Sequence, residues 1–94
     1  MINRKIFSSR LIELRKSKNL TQQQLGIELG TIKQSINNWE KCVSIPSLDV
    51  VAILADYFDV SLDYLVGRTD CPDIVTKDKD GNFIVVEAMQ PHKD

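Results

Sequence analysis

The segment from Leu20 to Gly30 constrains the fold most, because it specifies both ends of one short helix. Thr21 and Gln24 have the S/T-x-x-E/Q spacing of a capping box, in which the threonine oxygen accepts the backbone N–H of residue 24. Leu20 and Leu25 flank this cap as a hydrophobic staple. Gly30 follows only nine residues after Thr21 and can adopt the positive φ of a tight turn. The sequence therefore predicts a short helix with defined ends.

The chain before this helix is also predicted to be helical. Phe7, Leu11 and Leu14 have the spacing of an amphipathic helix, which we place over about residues 7–18. Asn19 follows a basic last turn, and asparagine tolerates the left-handed conformation that ends many helices.

The chain after the Gly30 turn is predicted to form three more helices. The apolar stripe of the third helix starts at Ile32 and includes Ile36 and Trp39. Ser47 and Ser61 are expected to cap the fourth and fifth helices. Their apolar stripes are Leu48, Val51, Leu54, Ala55 and Phe58 in the fourth helix, and Leu62, Leu65 and Val66 in the fifth, which Gly67 closes. We therefore expect an all-α domain of five helices that share one core.

The predicted outer face of the third helix carries side chains that suit base recognition. It contains Lys33, Gln34, Asn37 and Asn38, followed by Lys41. Asparagine is a weak helix former, so two asparagines in a short helix do not favour its stability. An amide offers a donor and an acceptor together, which matches adenine in the major groove, and lysine can contact guanine or phosphate. A merely solvated polar face is the structural alternative.

Charge divides the 94-residue chain into two halves, although its net charge is only −1. Residues 1–41 contain eight Lys or Arg and three Glu, a net charge of +5. Residues 42–94 contain four Lys or Arg and ten Asp or Glu, a net charge of −6. This division suggests that residues 1–41 face a polyanion and that residues 42–94 form an acidic surface, although surface charges can also segregate by chance.

The sequence contains no recognisable catalytic or metal-binding pattern. A Gly-rich phosphate loop, a nucleophile elbow and a His–carboxylate pairing are all missing, and Cys42, Cys71 and His92 are too few for a zinc site. We therefore expect no enzymatic activity, cofactor or metal. Two cysteines without a CxxC spacing or a signal peptide indicate reduced thiols in a cytoplasmic protein. No apolar run approaches the roughly 18 residues that cross a bilayer, so no membrane association is expected.

The segment Thr21–Glu40, TQQQLGIELGTIKQSINNWE, resembles the helix-turn-helix of the phage-repressor, or Xre/Cro-like, family. Gly26 and Gly30 stand where that motif needs a small residue and a turn glycine. The resemblance continues through PSLDVVAILADYFDVSLDYLVGR, which is similar to the family's fourth and fifth helices. It implies a five-helix, lambda-repressor-like DNA-binding domain over residues 1–68.

The resemblance also implies roles for individual residues. Phosphate contacts are assigned to Gln22 and Gln23 at the start of the second helix and to Lys41 after the third. Arg15 and Glu40 match a structural ion pair between the first and third helices. Base reading is assigned to the start and the exposed face of the third helix, namely Lys33, Gln34, Ser35, Asn37 and Asn38.

Two positions depart from the family pattern. Ile32 stands where a polar cap is usual, so Thr31 is expected to cap the third helix instead. Cys42 stands where glycine is usual, which predicts a strained loop. A partly buried thiol is the favoured interpretation of Cys42, and a redox sensor is the alternative.

Residues 69–94 lie outside the resemblance and are predicted to form a tail with a short β-hairpin. The β-rich runs 74–76 and 83–86 are separated by Asp80-Gly81, which is a hairpin signal. A lone two-stranded hairpin is marginally stable, so the tail is expected to pack either on the helical domain or on a second subunit, and we favour the second subunit. The spacing from Thr76 to Glu87 also resembles a calcium-binding EF-hand loop, but its flanks are predicted to be strands rather than helices.

These patterns together predict a sequence-specific DNA-binding transcriptional regulator of bacterial, phage or mobile-element origin. We expect a repressor that acts as a homodimer on a palindromic double-stranded DNA operator. The alternative is an antitoxin-type or other interaction protein whose acidic tail binds a partner protein.

Overall fold

The computed structural model describes residues 3–77 and 83–86. Within these residues the chain forms five helices followed by two strands. The elements are α1 (Arg4–Ser17), α2 (Gln22–Leu29), α3 (Lys33–Glu40), α4 (Leu48–Phe58), α5 (Leu62–Leu65), β1 (Ile74–Lys77) and β2 (Phe83–Val86). None of the described helices has the length and apolar character that a membrane span requires.

Side-chain caps set the start of every described helix except α3. The Thr21 hydroxyl accepts the N–H of Gln24 at 3.0 Å, and the Gln24 side chain accepts the N–H of Thr21 at 2.8 Å. The predicted capping box of α2 is therefore confirmed. Ser47 and Ser61 cap α4 and α5 as expected, whereas Asn3 caps α1. Because of this cap, α1 begins at Arg4, earlier than the predicted start near residue 7.

A left-handed residue stands at the end of each described helix, and those after α3 and α5 are Cys42, with a φ of 63°, and Gly67, with a φ of 86°. Asn19 follows α1 with a φ of 58°, and Gly30 follows α2 with a φ of 72°, as predicted for both. Asp59 ends α4 with a φ of 56°.

One apolar cluster, to which all five helices contribute, forms the core. Its buried members are Phe7, Leu11, Leu14, Leu25, Ile36, Trp39, Val51, Leu54, Ala55, Phe58, Val60, Leu65 and Val66. Ile32 and Leu48 were predicted to join it, but both are 67% exposed. These two predictions are wrong because Ile32 is the N-cap of α3 and Leu48 is the first residue of α4, so both precede the turns that face the core. Leu62, the first residue of α5, is 38% exposed for the same reason.

The segment after α5 packs back on the helices before it reaches the hairpin. The guanidinium of Arg10 in α1 donates hydrogen bonds to the carbonyl oxygens of Tyr64 and Thr69, the latter at 2.7 Å. The same guanidinium lies 4.0 Å from the centre of the Tyr64 ring. The N–H of Ser61 donates to the carbonyl oxygen of Pro72 at 2.9 Å. The helical unit therefore makes contacts beyond residue 68.

The two strands form an antiparallel pair. Ile74 lies opposite Val86, and Lys77 lies opposite Phe83. The predicted turn at Asp80-Gly81 falls outside the described residues, as do six of the twelve residues of the EF-hand-like spacing. β1 runs into the start of that spacing and β2 lies within it, whereas an EF-hand loop joins two helices.

Candidate nucleic-acid interface

α2 and α3 form a helix-turn-helix whose close packing leaves little room for a side chain at position 26. A Cβ atom there would lie 3.0 Å from the carbonyl oxygen of Thr31 and 3.2 Å from the carbonyl carbon of Ile32. The Thr31 N–H also donates to the Gly26 carbonyl oxygen at 2.8 Å. The missing side chain thus lets α2 contact the backbone at the start of α3 and sets the position of that helix.

The N-terminus of α3 has no side-chain cap. Ile32 has the extended backbone of an N-cap residue, with a φ of −104° and a ψ of 157°, and its side chain makes no capping hydrogen bond. Its carbonyl oxygen accepts the N–H of Ser35 at 3.1 Å. The prediction that Thr31 caps α3 is wrong, because the helix begins one residue too late for Thr31 to occupy the N-cap.

The outer face of α3 is polar, and two of its amides are paired. Lys33 and Gln34 are exposed in the first turn, whereas Ser35, Asn37 and Asn38 are half-buried. The Nε2 atom of Gln34 donates to Oδ1 of Asn38 at 2.9 Å, one turn further along the helix. This pairing restricts both amides and presents them together on the exposed side of α3.

Gln22, the first residue of α2, turns its side-chain amide toward α3. Its Nε2 atom donates to Oε1 of Glu40 at 3.0 Å and to Oδ1 of Asn37 at 3.3 Å. The donor that a phosphate contact would use is therefore engaged within the protein. Gln23, the next residue, is exposed, and so is Lys41 after α3.

Glu40 also receives a bidentate ion pair from α1. Arg15 Nε lies 2.6 Å from Glu40 Oε2, and Arg15 Nη2 lies 3.1 Å from Oε1. A third guanidinium nitrogen, Nη1, donates to the carbonyl oxygen of Leu20 at 2.8 Å. The side chains of Arg15 and Glu40 are only 13% and 6% exposed. The carboxylate of Glu40 thus joins α1, α2 and α3 through Arg15 and Gln22.

The end of α3 is held on α1 by a small polar cluster that the sequence analysis missed. The buried hydroxyl of Ser8 donates to the carbonyl oxygen of Trp39 at 2.6 Å, and the thiol of Cys42 donates to Ser8 Oγ at 3.2 Å. Ser8 lies one turn before Leu11 on the buried face of α1, and that spacing was the available signal. The link between Gln22 and Glu40 had no comparable signal, because it depends on how α2 crosses α3.

Within the described residues, no cluster of His, Cys, Asp or Glu could hold a metal ion. The outer face of α3 and the first turn of α2 present amides, a hydroxyl and cations. Such a surface can hydrogen-bond base edges and phosphates, because it combines donors and acceptors.

Comparison with known proteins identifies this arrangement. Residues 11–65, more than half of the chain, match the helix-turn-helix family. The uncharacterised HTH-type transcriptional regulator YobD of Bacillus subtilis (strain 168) is 43% identical over 68 residues, which are 72% of this chain and 61% of YobD. The HTH-type transcriptional regulator ImmR of the same strain is 30% identical over 88 residues, 90% of this chain and 66% of ImmR. The chain thus spans less than two thirds of the length of these relatives.

A solved structure shows the same fold. The solution structure of the SOS-response transcriptional repressor LexA from Eubacterium rectale superposes with a TM-score of 0.63, at 32% identity and over 67% of each chain. The α2–α3 packing at Gly26, the second half of α1 and all of α2 to α5 lie within the matched family region. The chain therefore belongs to the helix-turn-helix family, whose members among its relatives are transcriptional regulators.

Proposed function

We propose that this protein is a sequence-specific regulator of transcription that binds double-stranded DNA, acting as a homodimeric repressor on a palindromic operator. The observation that carries this proposal is the two-sided character of α3. Its apolar face, Ile36 and Trp39, is buried in the core, and its polar face is open at Lys33 and Gln34. The second helix of a helix-turn-helix, with a polar outer face of this kind, fits the major groove of B-DNA.

In the proposed complex, α3 reads base edges. Lys33 and Gln34 lie in its first turn, which enters the groove first, and Ser35, Asn37 and Asn38 follow along the helix. The hydrogen bond between Gln34 and Asn38 supports a role in adenine recognition, because it orients a glutamine amide that can bind adenine through a donor and an acceptor.

Phosphate contacts are proposed for the start of α2 and for the residue after α3. The backbone N–H groups of Gln22 and Gln23 belong to the first turn of α2, where a helix offers donors to an anion. Because the side-chain amide of Gln22 is hydrogen-bonded to Glu40, the phosphate is contacted by the backbone N–H of Gln22 and by the exposed side chain of Gln23. Lys41 adds a cation at the other end of α3.

The charge distribution supports this orientation. Residues 1–41, which include α1, α2 and α3, carry a net charge of +5, and residues 42–94 carry −6. DNA repels acidic side chains and attracts basic ones, so we expect the basic residues of this first half to approach the duplex. Two such units on one palindrome would place their recognition helices about 34 Å apart, one turn of DNA.

Selection of bound fragments from random double-stranded DNA, followed by sequencing, tests the proposal. We expect one enriched palindromic sequence, for which affinity is then measured beside a scrambled duplex. Gln34→Ala and Gln23→Ala form a matched pair, because both remove an exposed glutamine side chain from neighbouring helices. Gln34→Ala should cost about 1–3 kcal/mol on the selected sequence and little on the scrambled one.

Gln23→Ala should weaken binding to both duplexes alike, because a phosphate contact carries no sequence information. Equal losses on both duplexes for Gln34→Ala would contradict its base-reading role. Failure to enrich any sequence would contradict the proposed function as a whole.

The second candidate function is protein interaction, as in the antitoxin of a toxin pair. It is favoured by an acidic cleft of about 480 Å³ between α4, α5 and the segment that follows them, lined in part by Asp56, Leu62, Asp63 and Asp73. An acidic cleft of this kind suits a basic protein partner. Co-purification of a small basic protein, together with no enriched DNA sequence, would support this candidate over the first.

A further inference from the structure

Ile32 occupies a position where its side chain does not stabilise the fold. It is the N-cap of α3, is 67% exposed, and makes no capping hydrogen bond. Ser, Thr, Asp and Asn are preferred at an N-cap because their side chains accept a backbone N–H, and isoleucine cannot do so. Ile32 therefore weakens the start of α3 and also leaves most of its apolar surface in water.

The backbone of Ile32 is nevertheless well fixed beside the proposed reading surface. Its carbonyl carbon would lie 3.2 Å from a Cβ atom at Gly26, so α2 packs directly on it. Its carbonyl oxygen accepts the N–H of Ser35. Lys33 and Gln34, both exposed, follow it immediately. The isoleucine side chain thus extends into solvent at the N-terminus of α3.

We infer that Ile32 recognises the 5-methyl group of a thymine in the major groove, an inference that rests on the proposed function. Thymine is the base that presents a methyl group there, and the other base edges present hydrogen-bond donors or acceptors. Isoleucine has no hydrogen-bonding group, so contact with a polar edge would leave that edge unpaired. Contact with a methyl group removes apolar surface from water on both sides.

Substitution of deoxyuridine for thymine tests this inference, because it removes the methyl group alone. In the DNA sequence selected by the wild-type protein, each thymine is replaced in turn and the dissociation constant is measured. We expect one position in each half-site at which the wild-type protein loses about fourfold in affinity, the value for burying one methyl group. Ile32→Ala should bind the thymine and deoxyuridine duplexes equally at that position.

Two further variants separate base reading from other effects. Ile27 in α2 is 69% exposed, and Ile27→Ala should keep the fourfold discrimination of the wild-type protein. Ile32→Ser restores a capping side chain, so its melting temperature should equal or exceed that of the wild-type protein while its discrimination is lost. Loss of discrimination in a more stable variant shows that a folding defect is not its cause.

The possible failures are distinguishable. If no DNA sequence is enriched, the proposed function is rejected, and this inference with it. An enriched sequence that contains no thymine would overturn the role of Ile32 and leave the proposed function standing. The same conclusion would follow if removal of the thymine methyl group lowered the affinity of the wild-type protein and of Ile32→Ala equally. Equal loss of discrimination in Ile27→Ala would likewise overturn a specific role for Ile32.

Discussion

Cys42 adopts a backbone conformation that suits glycine. Its φ is 63°, which costs an L-residue other than glycine about 1–2 kcal/mol. The hydrogen bond that its thiol donates to Ser8 Oγ at 3.2 Å offsets part of this cost. The sequence analysis predicted strain in this loop, and the positive φ is consistent with it. Cys42 contacts α1 rather than projecting from the interface, which favours a structural thiol over a redox sensor.

Substitution of Cys42 by glycine and by alanine should separate strain from packing. Both variants lose the thiol, but only glycine relieves the left-handed backbone, so Cys42→Gly should be more stable than Cys42→Ala by about 1 kcal/mol. Chemical denaturation measures the difference. Cys71, which is exposed and has no positive φ, is the matched control: Cys71→Gly should be no more stable than Cys71→Ala. A glycine advantage at both sites, or at neither, would refute backbone strain at Cys42.

Among the elements, α3 is held in place by side chains from α1 and α2. Arg15 binds Glu40 through two hydrogen bonds, and Gln22 donates to the same carboxylate. The position of the recognition surface therefore depends on a polar network beneath it as well as on the apolar core. A defect in this network should affect stability and DNA binding together.

Arg15→Ala should lower the free energy of unfolding by about 3–5 kcal/mol, because it leaves the carboxylate of Glu40, only 6% exposed, without its cation. Thermal and chemical melts measure the loss. Lys16→Ala is the matched control, because Lys16 is the next cation along α1 and is exposed. Its effect should remain within about 0.5 kcal/mol. An unchanged melting temperature in Arg15→Ala would disprove the structural role of the pair.

At the scale of the whole molecule, Arg10 connects the first helix with the segment that leads to the hairpin. It donates to the carbonyl oxygens of Tyr64 and Thr69 and pairs with the carboxylate of Asp70. The Asp70 side chain is fully exposed, so this ion pair is expected to contribute little. The two carbonyl contacts are partly buried and are the more important part of the interaction.

Arg10→Ala should therefore destabilise the protein by about 1–3 kcal/mol, because it leaves partly buried carbonyl oxygens without a donor. Asp70→Asn removes only the exposed charge and should change stability by less than about 0.5 kcal/mol. Equal effects of the two substitutions in urea denaturation would show that the ion pair, rather than the carbonyl contacts, holds this segment.

The boundary between the helical unit and the tail follows from the same contacts. We propose that the unit ends near residue 73 rather than at residue 68, because Thr69 and Pro72 accept hydrogen bonds from Arg10 and Ser61. A chain that ends after residue 73 should keep the melting temperature of the helical unit. If the hairpin joins two subunits, this shortened chain should sediment as a monomer. A chain ended after residue 68 should melt at a lower temperature. A dimer in the 73-residue chain would assign dimerisation to the helices.

Much of the fold and part of the interface could be predicted from particular residues. The capping box of Thr21 and the left-handed Gly30 identified α2, and the serine caps identified α4 and α5. The outer face of α3 was found because its polar residues recur at helical spacing. The base and phosphate contacts of these residues stay predictions, since their test is DNA binding.

What the sequence determined by itself is local: the capped starts of α2, α4 and α5, and which faces of the helices are apolar. These features depend on hydrogen bonds and spacings within a few residues, so they can be read without knowledge of distant contacts. Only the tertiary structure decided that the Gln22 amide points to Glu40 and that Arg10 holds the segment after α5. Those outcomes depend on how separate helices pack, and the small residue at Gly26 sets how closely α2 approaches the start of α3.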